Sequence, residues 1–167
     1  MKCFGDNKGT TLIEALVTVV IFSLGMIPSL TIVLLASSFS LAIQNNLIAA
    51  NLAQEGVEIA QAIRDANKFN NRVFDFGLAP GSYRVEWDST ALLEVSDNPA
   101  LKIDSSSGLY SYDTAGTDTA FNRKITITKD PSLPGCNCEL KVKSEVTWPE
   151  RGKIKTLIVE SHLFDWL

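Results

Sequence analysis

The chain has 167 residues, 46% of them hydrophobic, with three cysteines, one histidine and a net charge of −4. That length suits one globular unit plus a segment with another purpose. A mildly acidic chain without Lys/Arg clusters lacks the electrostatic footprint of a nucleic-acid binder. With one histidine and no nucleophile elbow, phosphate loop or paired-His motif, the sequence offers no catalytic residue and no metal or cofactor site.

The first nine residues, MKCFGDNKG, form a polar leader, and beyond it no formal charge separates Glu14 from Glu55. The first half of that gap, Ala15–Leu35, is long enough to cross a bilayer, which takes about 20 mostly apolar residues. A carboxylate at a bilayer centre costs on the order of 2.5–3.5 kcal/mol, so Glu14 at the edge of such a segment needs a partner. Lys2 and Lys8 put positive charge on the leader side, the arrangement of a cytoplasmic N-terminus. Gly9 has no side chain, so its backbone can lie flat in a protease cleft. A cut there frees an α-amine, and a carboxylate one helical turn along, in the same chain or a neighbour's, can answer its charge. In a low dielectric that attraction is much larger than in water.

An ordinary secretory signal also has a basic start and an apolar core, but its core is shorter and ends in a small-x-small site. An uncut signal anchor satisfies the length but gives Glu14 no task.

Past the span the pattern turns amphipathic. Leu41, Ile48, Leu52, Ile59 and Ala66 recur at spacings of seven and four, predicting one apolar stripe on a continuing helix. The predicted helix runs from Thr10 to about Asn67, roughly 85 Å at 1.5 Å per residue. Gly25 and Pro28 lower helix propensity and remove one hydrogen bond, which predicts a kink there. Gly56 is tolerated inside the helix at a cost of about 1 kcal/mol.

From Arg72 onward, turn residues separate short runs with strand character: Ser82–Trp87, Leu101–Ile103, Leu109–Tyr112, Lys124–Thr128, Cys138–Trp148 and Ile154–Phe164. Period-two alternation in several of them predicts an antiparallel sheet, one face buried and one wet. Pro149-Glu150-Arg151-Gly152 is read as the turn joining the last two strands. The helix stripe must bury somewhere, and the sheet supplies the apolar surface.

Trp87, Trp148 and Trp166 are expected to fill the core between helix and sheet. His162 is read as a partly exposed strand residue. The polar stretch Asp104–Arg123 is expected to be a loop and the best place for a partner contact. Its carboxylates Asp104, Asp113 and Asp118 lack EF-hand spacing. Cys3 falls in the leader. Cys136 and Cys138 form a C-x-C pair where oxidation is allowed; a disulfide between them would close a small, strained ring, and their pairing stays open.

The run KGTTLIEALVTVVIFSLG resembles the processing site of type IV prepilins and pseudopilins: basic residue, glycine, hydroxyl residues, glutamate, apolar helix. The segment NLAQEGVEIAQAIRDAN, with the strands after it and the ending Asp165-Trp166, is similar to minor pilins of the PilV type and to I-type pseudopilins. The likeness is strong over Lys8–Phe39 and loose beyond Asn67. It implies that a membrane-embedded prepilin peptidase cuts after Gly9 and methylates Thr10, which stands where the family usually has Phe. Glu14 then takes the assembly role.

The implied fold is α+β and pilin-like, a long N-terminal helix on a small antiparallel sheet. Its parts are a leader (1–9), a transmembrane assembly helix (10–36), an amphipathic helix (37–71) and a β-rich head (72–167). The implied partners are prepilin peptidase, other pilin subunits in a helical filament, and an inner-membrane assembly platform. The implied location is the cytoplasmic membrane with the head outside, then a pilus or pseudopilus at the cell surface. Two further readings are a type II secretion pseudopilin and an uncleaved membrane-anchored binding module.

Overall fold

The structure, a computed structural model, describes residues 8–95, 97–113, 115–129 and 139–165. Among the described residues there is one helix, α1 (Lys8–Phe69), followed by seven strands in one antiparallel sheet. By contacts, the chain divides into one unit ending at Gln44 and another beginning at Asn45.

In the first unit, every side chain described from Thr11 to Ser37 is exposed. The helix assignment continues through Pro28 without interruption. Pro28 has no N–H for the carbonyl of Leu24, and the next residue, Ser29, donates its hydroxyl to the Gly25 carbonyl at 2.7 Å. Thr18, Ser23 and Thr31 do likewise, donating to Ala15, Val19 and Ile27 at 2.8, 2.7 and 3.0 Å. These hydroxyls are satisfied by their own helix, as a lipid environment requires.

In the second unit, α1 ends in a Schellman cap. Asn71 takes φ 54°, Arg72 N–H bonds to the Asn67 carbonyl at 2.8 Å, and Asn71 N–H bonds to that of Lys68 at 3.0 Å. The buried Asn67 amide then pins the following loop, donating to Phe74 and Phe76 carbonyls at 3.3 and 2.7 Å.

The strands are β1 (Gly81–Arg84), β2 (Leu93–Glu94), β3 (Ala100–Ile103), β4 (Tyr110–Ser111), β5 (Thr117–Lys129), β6 (Glu139–Glu150) and β7 (Lys153–Phe164). Long β5 is the organiser. One side carries β1 along its C-terminal half and β3 along its N-terminal half, with β2 and β4 outside them. The other side carries β6 and then β7. The sheet therefore has β7 at one edge and β2 and β4 at the opposite edge.

Several expectations need correction. The stretch Asp104–Arg123 is not one loop, because β5 begins at Thr117. Pro149 and Glu150 belong to β6, and the turn is the pair Arg151–Gly152 with φ 50° and 76°. That is the two-residue hairpin geometry whose twist matches the strands. Pro149 lies beyond Thr147, the last β6 residue paired with β5, so its missing N–H leaves no ladder bond unmade.

The apolar stripe differs from expectation only at its ends, since Ile48 between them packs half-buried against the core. Leu52 and Ile59 are buried, but Leu41 and Ala66 are exposed. The buried face is built on small residues, Ala49, Ala53, Gly56 and Ala60, which let the sheet come close. A Cβ at Gly56 would stand 2.5 Å from Ile125 Cδ1 and 2.6 Å from Ser144 Oγ. Gly56 is thus required by packing rather than merely tolerated.

Two apolar clusters result. One joins Val57, Ala60 and Ile63 to Ile125, Val142 and Leu163; the other joins Leu52 and Ala53 to Leu101, Phe121, Val146 and Trp148. On each strand the residue between the clusters is polar: Arg123 on β5, Ser144 on β6. Arg123 is 0% exposed. It donates from Nη1 to the Leu52 carbonyl (3.0 Å) and Glu55 Oε1 (2.8 Å), and from Nη2 to the Val85 carbonyl at 2.6 Å. One guanidinium therefore ties α1 to the chain leaving β1.

Candidate functional site

The residues singled out at the N-terminus lie in α1. Gly9 and Thr10 fall in its first turn, and Glu14 is an exposed side chain one turn further on. Large apolar side chains follow it on every face: Leu16, Val20, Phe22, Ile27, Leu34 and others to Ile43 are each at least half exposed. The helix is long and apolar enough to cross a membrane. A surface this apolar is unstable in water and must be covered. A Cβ at Gly25 would meet nothing within 4 Å, so that glycine answers no packing demand within this chain. Cys136, Cys138 and Trp166 lie outside the described residues.

A second feature was not foreseen. An open groove of about 540 Å³ lies between the turn after β1, the loop ahead of β4, β4 itself and the residues just before β5, lined by Glu86, Trp87, Asp88, Asp104, Leu109 and Asp113 among others. Val85, anchored by Arg123, leads into a tight turn in which Ser89 N–H bonds to the Glu86 carbonyl at 3.0 Å and Glu86 N–H to Ser89 Oγ at 2.7 Å. That turn presents Trp87, which is 51% exposed. Trp87 is thus a groove wall and not a core residue, whereas Trp148 is buried as expected.

Asp104 closes the loop ahead of β4. It accepts the Ser107 hydroxyl at 2.6 Å, and the Ser106 N–H and hydroxyl at 2.9 and 2.8 Å. Those bonds, the Ser107 hydroxyl first, hold its carboxyl down at about 2. Glu86 Oε1 accepts the Tyr112 N–H at 3.1 Å, and Tyr112 donates its hydroxyl to the Arg123 carbonyl at 3.2 Å. Burial pushes the Tyr112 phenol up. Among the described residues no lysine or arginine forms an ion pair with Glu86, Asp88, Asp104 or Asp113.

Among the described residues no group of three His, Cys, Asp or Glu could hold a metal ion. His162 is a half-exposed residue of β7; its Nδ1 lies 2.5 Å from Glu139 Oε1, and its ring stacks on Phe164. The sequence signal for the groove was the run of carboxylates and turn residues around Trp87 and Asp104–Asp113. Nothing in the pattern said that the two stretches meet.

No protein-family model matches the chain, and neither a curated protein nor a solved structure matches it.

Proposed function

We propose that the chain is a non-catalytic structural subunit, of the minor or priming kind, in a type IV pilus-like filament. One observation carries this reading: the exposed apolar run from Leu12 to Ile43 is longer than a membrane can cover. At 1.5 Å per residue it spans roughly 47 Å. A hydrocarbon layer of about 30 Å would take it up only at about 50° of tilt, beyond the usual range. The surplus, with Phe39, Leu41 and Ile43 on it, needs protein cover, and a parallel helix of another subunit has the matching character.

Glu14 supports the same reading. It stands exposed at the start of the apolar run, with no other charge as far as Glu55. Cleavage after Gly9 by a prepilin peptidase would create a positive amine at Thr10, methylated by the same enzyme. The carboxylate of an incoming subunit would pair with the amine of the one ahead and fix axial register. Head-to-tail contacts that do not close make filaments rather than rings.

The test is co-expression with a prepilin peptidase, followed by intact-mass measurement and electron microscopy. The mature chain should lack residues 1–9 and enter fibres; Glu14→Val should be trimmed normally yet be depleted from fibres. A chain still bearing Met1 beside an active peptidase, or Glu14→Val incorporated at the normal level, would overturn it.

A further inference from the structure

The two edges of the sheet are finished differently. On one side the edge is broken up: β2 and β4 are 2 residues each, and the β3–β5 pairing shifts register between Ala100 and Lys102. Short strands and bulges are usual means of keeping an edge from recruiting another chain. On the other side β7 runs 12 residues in unbroken register with β6 and contains no proline.

The turn at Arg151–Gly152 fixes which groups the β7 edge presents. In a two-residue hairpin the flanking pair, here Glu150 and Lys153, exchanges hydrogen bonds, and bonded positions alternate from there. The odd-numbered residues of β7 therefore bond to β6. Ile154, Thr156, Ile158 and Glu160 turn their N–H and C=O groups outward, and among the described residues no strand meets them.

The side chains suit the same use. Lys153, across from Glu150, and Lys155 guard the tip end of the edge, and Glu160, held by Lys141 at 2.8 Å, closes the far end. Between them stand Thr156, Leu157, Ile158 and Val159. Ile158 is 47% exposed, on the face turned away from α1. Leu157 and Val159, on the face toward α1, are only partly buried at the margin of the apolar clusters. A strand laid along this edge would complete the backbone ladder and cover apolar side chains on both faces at once.

We infer that the β7 edge from Thr156 to Glu160 is a docking site for a β-strand of an unlike subunit, which joins the sheet beside β7. The choice of occupant rests on the filament reading, in which a minor or priming chain has unlike neighbours. A row of outward N–H and C=O groups asks for an extended backbone, not a helix. Ile158 on one face and Leu157 and Val159 on the other ask for a segment apolar on both faces. Main-chain bonds hold such a strand, and the side chains select it.

The experiment uses the full chain, co-expressed in membranes with the peptidase and the other prepilin-type chains of its source organism. A benzophenone amino acid replaces Thr156 or, separately, Ile158. Irradiation should join the chain to one unlike subunit, and the mapped sites should move by two residues when the probe does. That step marks paired strands, and a side-chain patch would not give it. With the probe at Ile158, Thr156→Pro removes an outward N–H, leaves the β6 ladder whole, and should cut the yield roughly tenfold. Thr156→Lys, an edge charge with no backbone change, should also cut it, which keeps the test valid if the proline variant melts early. Crosslinks only to a second copy of this chain, no crosslink, sites that do not step, or a yield indifferent to both substitutions would overturn the contact. Fibres without stepped crosslinks sink the contact and leave the filament standing. Stepped crosslinks in chains that never form fibres sustain the contact and remove the filament.

Discussion

Arg123 and Glu55 meet at 2.8 Å across the junction of helix and sheet, the guanidinium fully buried and the carboxylate reaching partly into solvent. The pair does more than bring two charges together, because the same guanidinium also holds the carbonyls of Leu52 and Val85. Arg123→Ala should strand a buried carbonyl and an unpaired carboxylate, lowering stability by about 2–4 kcal/mol. Denaturant unfolding of the full chain in detergent measures the loss. Glu55→Gln, which keeps an oxygen for the guanidinium, should cost less.

Gly56 and Gly25 lie in the same helix but should answer the same substitution differently. Gly56→Ala gains about 1 kcal/mol of helix propensity but drives a methyl into Ile125 and Ser144. Overpacking of that sort costs about 1–3 kcal/mol, so the net effect is destabilising. Gly25→Ala meets nothing and should leave unfolding of the sheet unit unchanged. Paired melts of the two variants distinguish them; equal behaviour would contradict the close approach at Gly56.

Asp104 gives a pH signature. Its folded value, about 2, is depressed below the ordinary 3.8. A depressed carboxylate contributes stability above the unfolded value and loses it as pH falls through the folded one. Order in the loop ahead of β4 should therefore weaken between about pH 4 and pH 2, as read by hydrogen exchange at Ser106–Leu109. Ser107→Ala removes the largest cause and should raise the Asp104 value toward normal in a carboxyl NMR titration.

Gly9→Leu tests the processing site apart from assembly. A bulky side chain at the cut should block trimming, so the variant keeps its leader in the presence of peptidase, as read by intact mass. Trimming at the normal rate would place the cut elsewhere.

Much of this architecture was legible in the residues. The uncharged run from Ala15 to Gln54 announced the helix, and alternation announced β6 and β7 nearly to their ends. The first half of β5 was not, because Thr117-Asp118-Thr119 is polar and turn-like, and it is a strand because β3 pairs with it. Leu93–Glu94 is too short to show a period and exists only as a partner for β1. The core face of α1 was legible at Leu52 and Ile59 but not at Ala49, Ala53, Gly56 and Ala60, whose small side chains carry little hydropathy signal. Arg123 could have been found: Phe121, Ile125 and Ile127 share a face by period two, and the same count puts Arg123 among them. The Trp87 groove could not, since its two walls lie far apart in sequence and only the β1–β5–β3 pairing unites them.

The hydroxyls of Thr18, Ser23, Ser29 and Thr31 spend their protons on carbonyls of their own helix. A neighbouring rod lying alongside this stretch meets grease and no directional grip. If such rods lie side by side, as the filament reading has it, they slide and roll past one another cheaply, and Glu14 is the one formal charge this stretch offers to stop them.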